Sequence, residues 1–326
     1  MQALVLAGGE GTRLRPLTLT TPKPVMPLAG RPFLSFMLEW LGSHDVDEVI
    51  LSCGFMSDDV HDVLGDIYRG MRLRYVVEEE PLGTAGPVRL ALEEGLLQDR
   101  LFVLNGDVLS DIDLTGELAQ HERSGARVTL ALHPVEDTSS YGVVPTDSDG
   151  RVEAFLEKTE GEAPTNRINA GAYVLEREVV EAIPPGRAVS FERETFPALV
   201  GDGLYGFPAP GYWIDIGTPA RYLEATWDLL AGRVGSRLPP RDETGSLVYE
   251  GCLLSGAHVG PQSVLATRVR VGANAHVLPG AVVGAGAVIG DGATIGEGAR
   301  VDPGVEIEPG ARVEAGDFVK APEAAR

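Results

Sequence analysis

The chain has little cysteine, little positive charge and no long hydrophobic run, and each shortage removes a class of protein. Two cysteines, Cys53 and Cys252, stand far apart in 326 residues, so no disulfide framework or zinc spacing is present, as expected in a reducing cytoplasm. Asp and Glu outnumber Lys and Arg 48 to 27, and the net charge of -21 argues against general attraction to nucleic acid or anionic lipid. Anionic ligands must then be held by a few placed cations. No apolar run approaches the length of a membrane helix, and Met1 leads almost at once into a strand, so no membrane partner and no secretory leader are expected. Also missing are the Gly-Lys-Ser or Gly-Lys-Thr ending of a P-loop and the acidic residue that a dinucleotide-binding glycine pattern carries about 20 positions on.

What is present falls into two patterns, and the length suits two domains. Over residues 1–232, strand-like runs (Val49 to Leu51, Tyr75 to Val77, Leu101 to Leu104, Val128 to Leu132) alternate with helical ones (Phe33 to Leu41, Thr84 to Glu94, Leu114 to Glu122, Pro219 to Leu230). This predicts an α/β domain with a Rossmann-like, mostly parallel sheet, whose ligands bind at the carboxyl ends of strands. A Gly-, Pro- and Arg-rich stretch makes 233–244 a linker. Over 245–326 aliphatic residues recur every six positions, at Leu247, Leu253, Val259, Leu265, Val271, Val277, Val283, Ile289, Ile295, Val301, Ile307 and Val313, in one unbroken register. Hexapeptide repeats of this kind predict a β-helix, with about three hexads per turn and the aliphatic of each hexad in the core.

The densest chemistry lies near the start. After a short apolar run, Ala3 to Leu6, come Gly8-Gly9-Glu10-Gly11-Thr12-Arg13-Leu14-Arg15-Pro16 and then Pro22-Lys23-Pro24. Glycines behind a buried strand let backbone N–H groups approach a phosphate chain, and Arg13 and Lys23 add fixed positive charge beside them. The combination describes a nucleoside triphosphate site; a glycine turn with surface cations is the plain alternative. From Gly8 to Pro16, with Lys23, the stretch resembles the signature of sugar-1-phosphate nucleotidyltransferases, which make nucleotide sugars from a nucleoside triphosphate and a sugar 1-phosphate. The resemblance implies that the β-helix is left-handed.

That reaction is an in-line displacement at phosphorus, for which positioning and charge neutralisation matter most. Asp107, in Leu104-Asn105-Gly106-Asp107, and Asp215, in Trp213-Ile214-Asp215, match the family's metal-binding aspartates, and Mg2+ needs only one or two carboxylates beside phosphate oxygens. Alone, each aspartate would read as a cap or turn residue. Glu157-Lys158 resembles the family's Glu-Lys-Pro motif, with Thr159 in place of proline, which puts the geometry of that loop in doubt but removes neither functional group. By resemblance Glu157 accepts from sugar hydroxyls and Lys158 holds the sugar phosphate as a catalytic cation with Arg13 and Lys23, while Tyr141, Gly142, Asn169, Gly171 and Trp213 complete the sugar side. Leu6, Ala7, Gly8, Gly9, Gly11, Thr12, Asn105 and Gly106 are assigned to the nucleotide in the same way.

Glu78 to Gly86 (Glu-Glu-Glu-Pro-Leu-Gly-Thr-Ala-Gly) resembles the family's base-reading loop, which brings Glu78, Pro81, Gly83 and Thr84 to the base. Thymidylyl relatives carry a glutamine about where Glu78 falls. A carboxylate only accepts hydrogen bonds, so it suits the adjacent N1 and N2 donors of guanine and repels pyrimidine carbonyls, a difference on the order of 2 to 4 kcal/mol. With Ser190-Phe191-Glu192-Arg193-Glu194, the wording is most similar to mannose-1-phosphate guanylyltransferases. The resemblance implies GTP and mannose 1-phosphate as substrates, Mg2+ as cofactor, and a homodimer or higher homo-oligomer built through the β-helix. Three alternatives stay open: a thymidylyl or uridylyl enzyme acting on glucose 1-phosphate, a non-catalytic regulatory subunit, and an acyltransferase using His258 or His276, which otherwise read as surface histidines.

Overall fold

A run of aliphatic residues too apolar to face water on either side starts the fold. In the computed structural model, which describes residues 1–15, 17–19, 21–54, 56–157, 163–235 and 242–321, Ala3, Leu4 and Val5 are all fully buried at the centre of a sheet. The chain forms two units. The first comprises Met1–Pro24, Leu34–Ala225 and Arg233–Gly235; the second takes Val25–Phe33, Thr226–Gly232 and the described residues from 242 onward.

The main strands of the first unit are β1 (Gln2–Leu6), β2 (Glu48–Cys53), β3 (Met71–Val77), β4 (Arg100–Asn105), β5 (Val108–Ser110), β6 (Val128–Pro134), β7 (Gly142–Val143), β8 (Leu156–Glu157), β9 (Arg167–Glu176), β10 (Leu204–Pro208) and β11 (Trp213–Asp215). The sheet runs β8-β7-β9-β4-β1-β2-β3, with the short strand Ile67–Tyr68 antiparallel to β3 at its edge, and β6 lies on β9 with β10 beyond it. Its centre, β4-β1-β2-β3, is parallel, and β9 adds to β4 in the antiparallel sense. Because Leu6 is level with Ser52 and Asn105, and Cys53 with Val77, the loops after β1, β2, β3 and β4 all leave from one edge. That edge is where a parallel sheet binds its ligands. One face of the sheet buries Leu4, Ile50, Val103 and Tyr173 against Phe191 and Phe196, whose rings stack 5.1 Å apart. Separately, β5 and β11 form an antiparallel pair.

Thirteen two-residue strands, from Leu247–Val248 to Phe318–Val319, build the second unit as three parallel sheets of five, four and four. Val264 pairs with Val282 and Val282 with Arg300, so a coil takes 18 residues, three hexads. Ala275, Val277, Ala281, Val283, Ala287 and Ile289 fill its interior. The unbroken register expected from the sequence fails in the first coil. There Leu247 pairs with Val264 and Leu253 with Arg270, a step of 17, so Val248 and Leu254 occupy the ladder positions of the core aliphatics Leu265 and Val271. Leu247 is buried instead in a side cluster with Tyr249 and Val264, and Leu253 is 60% exposed. Tyr249 Oη also donates to Ala29 O at 3.2 Å, tying to this coil a hairpin of Pro27–Leu28 and Arg31–Pro32.

His258 and His276 are exposed neighbours on successive coils, their rings stacked 4.9 Å apart. No helix among the described residues is long and apolar enough to cross a membrane.

Candidate active site

The common edge of β1 to β4 opens into a cleft of about 840 Å3. Its floor is the loop after β1: Leu6, Ala7, Gly8, Gly9, Gly11, Thr12 and Arg13 all line it, as do Asn105, Gly106 and Asp107 after β4 and Glu78, Pro81, Gly83 and Thr84 after β3. Three glycines are obligatory here for steric reasons. Gly11 adopts φ +61°, and a Cβ on Gly106 would come within 2.5 Å of Leu6 O. Gly54, which the sequence reading passed over, also lines the cleft, and a Cβ there would lie 2.8 Å from Gly8 O.

Charge gathers at one end. Lys23, 8% exposed, lines the cleft and donates from Nζ to Asp107 Oδ2 at 2.8 Å. Asp215 ends β11 level with Val108, and Ile216 N donates to Asp107 O at 3.0 Å, so the two aspartates occupy adjoining chain segments. Burial pushes the Asp215 carboxyl above the usual carboxylate range and the nearby Asp107 charge adds to this, while Lys23, the Gly217 N–H (2.7 Å to Oδ1) and Arg13 pull it down. Arg13 closes the group: a Cβ on Gly217 would meet its guanidinium at 2.7 Å and Asp215 Oδ1 at 2.8 Å. Arg15, by contrast, turns outward to pair with Glu10 at 3.2 Å.

At the other end, Glu78 faces Gly8. Its Oε1 accepts from Ser52 Oγ at 2.7 Å and its Oε2 from Leu82 N at 3.0 Å. The following turn is tied down by a segment more than 100 residues away. Thr84 Oγ1 donates to Glu192 Oε2 at 2.7 Å and accepts from Phe191 N at 2.8 Å, and Val189 bonds Leu82 and Ala85 through its backbone. Gly83, at φ +76°, passes so close that a Cβ would lie 2.5 Å from Val189 O.

Among the described residues, those read as the sugar side form a second group, which does not line this cleft. Asn169 donates to Tyr173 Oη at 2.9 Å and accepts from Gly171 N at 3.1 Å, and a Cβ on Gly171 would meet the Asn105 amide at 2.6 Å. Trp213 donates to Ala170 O at 2.8 Å, meets Tyr141 edge-on at 5.4 Å and stacks on His133 at 5.7 Å. Gly142 pairs with Glu157 across β7 and β8. Lys158 and Thr159 lie outside the described residues.

Comparison with known proteins follows the same division. The sequence model of the family described as "Nucleotidyl transferase" matches residues 2–232. The chain belongs to that family. The model described as "GlmU-like, C-terminal hexapeptide" matches residues 240–317 of this nucleotidyl transferase. The mannose-1-phosphate guanylyltransferase of Mycobacterium tuberculosis is 43% identical over 284 residues, which are 86% of this chain and 77% of that protein. The mannose-1-phosphate guanyltransferase of Schizosaccharomyces pombe is 40% identical over 233 residues, 69% of this chain and 63% of that one. Among solved structures, HddC from Yersinia pseudotuberculosis complexed with GMP-PN superposes with a TM-score of 0.59 at 30% identity, covering 70% of this chain and 99% of that one.

For a metal, the nucleotidyl transferase offers Asp107 and Asp215. No cluster of three or more His, Cys, Asp or Glu suited to an ion occurs among the described residues. A pair fits Mg2+, which completes its shell with phosphate oxygens and water. A half-buried carboxyl pushed up beside a second carboxylate is also what a cation relieves. Sequence reasoning missed Ser52 and His133, and it met Glu192 only inside a phrase of the resemblance, without its bond to Thr84. A polar side chain inside the aliphatic run of β2 was the available signal for Ser52; the other two show themselves only through contacts distant in sequence.

Proposed function

We propose that this nucleotidyl transferase moves a guanylyl group from GTP to α-D-mannose 1-phosphate, giving GDP-mannose and pyrophosphate. The observation that carries the reading is the convergence of Arg13, Lys23 and Asp107, with Asp215 beside them, at one end of a cleft whose other end holds the Glu78 carboxylate. The names of its relatives from Mycobacterium tuberculosis and Schizosaccharomyces pombe support the same substrates.

In this reading the backbone N–H groups of Gly8, Gly9 and Gly11 face the phosphates, and Glu78, with Pro81, Gly83 and Thr84, receives the base. A phosphate oxygen of the sugar phosphate attacks the α-phosphorus while the bond to the bridging oxygen of the pyrophosphate breaks. Arg13 and Lys23 neutralise the charge growing on that leaving group. Asp107 and Asp215 would hold Mg2+, which when bound offsets charge on the phosphates. Glu157, Lys158 and Asn169, with Tyr141, Gly142, Gly171 and Trp213, would fix the sugar phosphate for attack.

We extend the proposal to a cytoplasmic enzyme that assembles as a homodimer or higher homo-oligomer through its β-helix. Two unpaired cysteines favour a reducing compartment, and burial pushes the Cys53 thiol up to about 12, which keeps it unreactive. Pyrophosphate release across GTP, dTTP, UTP, ATP and CTP against mannose, glucose and N-acetylglucosamine 1-phosphates tests the reaction. GTP with mannose 1-phosphate should dominate, and a clear preference for dTTP with glucose 1-phosphate overturns the reading.

A further inference from the structure

A carboxylate that reads a base must be aimed, and Glu78 is aimed by a residue that meets no substrate in the proposed reaction. Ser52, the penultimate residue of β2, is fully buried among Val49, Ile50, Leu51 and Cys53. An isolated hydroxyl there needs a partner, and it donates to Glu78 Oε1 at 2.7 Å. The second carboxylate oxygen accepts from Leu82 N at 3.0 Å, and Glu78 N donates to Cys53 O at 2.8 Å, so the side chain is held at both ends. Space for this pose comes from Gly8, where a Cβ would lie 2.5 Å from Oε1. Ser52 O accepts from Ala7 N at 2.8 Å, so the same residue anchors the glycine loop through its backbone and Glu78 through its side chain.

We propose that Ser52 is a positioning residue for base selection, acting through Glu78. Each carboxylate oxygen has two acceptor positions, and the protein fills one on each. One position per oxygen remains on a side chain that lines the cleft, a fork matched to two adjacent N–H donors such as N1–H and N2–H of guanine. Without the Ser52 hydroxyl the fork turns, and the second of its two bonds is lost. The inference rests on the guanylyl reading above and assigns to a buried residue part of the discrimination.

The test compares GTP with inosine 5′-triphosphate, which lacks the 2-amino group, as substrates of the full chain at saturating mannose 1-phosphate. Wild-type protein should favour GTP in kcat/KM. Ser52→Ala, which leaves the backbone bond to Ala7 intact, should shrink that preference about tenfold while kcat on GTP stays within about twofold. Ser52→Cys, close in size but a weak donor, should shrink it likewise and serves if the alanine variant folds poorly. Variants that keep the wild-type preference, whether their overall rate is normal or uniformly lowered, overturn the proposal. A wild-type enzyme that uses GTP and inosine 5′-triphosphate equally well overturns the two-donor fork and this inference with it, whereas one that uses neither overturns the guanylyl reading itself.

Discussion

Lys23 Nζ and Asp107 Oδ2, 84 positions apart in sequence, meet at 2.8 Å. The ion pair joins a cation assigned to the triphosphate to a carboxylate assigned to the metal, so each holds the other in place before substrate arrives. Lys23→Ala should lower turnover at least about a hundredfold through lost charge stabilisation, and Asp107→Asn should be comparable. The double variant should lose less than the product of the two, because the single changes break the same interaction. Pyrophosphate-release kinetics on all four proteins decide the matter; losses that multiply would mean that the two side chains act independently.

Asp215 is half-buried beside Asp107, where a cation would favour its charged form. Asp215→Asn should therefore cost at least about a hundredfold in turnover and shift the Mg2+ titration of the remaining rate to higher concentration. Chelation should abolish wild-type turnover, and added Mg2+ should restore it. A variant with a normal rate and an unmoved Mg2+ curve would remove Asp215 from the site.

Glu192 Oε2 accepts from both Thr84 and Ser190 at 2.7 Å, pinning the turn that lines the far end of the cleft. Glu192→Ala should raise KM for the nucleotide about tenfold and leave KM for the sugar phosphate within about twofold. Steady-state rates with each substrate varied in turn separate the two constants. Equal rises in both would point to general loosening.

Glu117 bears on stability. It is fully buried, neither carboxyl oxygen has a hydrogen-bond partner among the described residues, and desolvation raises its pKa well above the ordinary value. The folded protein thus keeps a proton that the unfolded chain gives up above the ordinary glutamate range. Stability from this group falls as pH rises from there toward the folded pKa, by about 1.4 kcal/mol per unit. Glu117→Gln should remove that slope. Thermal melts of both proteins at pH 5 and pH 8 should show the variant gaining on the wild type at the higher pH; parallel melts would contradict the assignment.

Much of this architecture was legible because it depends on local pattern. Hexads mark a solenoid, and the glycine loop, Asp107 and Asp215 each sit in a recognisable phrase. The first coil was misread because Leu247-Val248 and Leu253-Leu254 are aliphatic doublets. Period alone chose the first member of each, whereas the ladder puts Val248 and Leu254 in register with the core. Helix limits failed for a related reason. The helix expected from Thr84 begins at Gly86, because Thr84 is drawn out to Glu192 and Phe191. Ser52 and Glu192 act across 26 and 108 residues respectively, a distance no window on one sequence spans.

The 17-residue step at the top of the solenoid sets how such a chain can change length. From Val259 onward every coil is interchangeable in phase, so excising or duplicating one 18-residue block there returns each aliphatic to an inward position. The same edit spanning Leu247 to Leu254 would throw the coils out of step, and with them the Tyr249 tether to Ala29. Growth and shrinkage are therefore confined to the distal coils, and the proximal one is the fixed point from which they are counted.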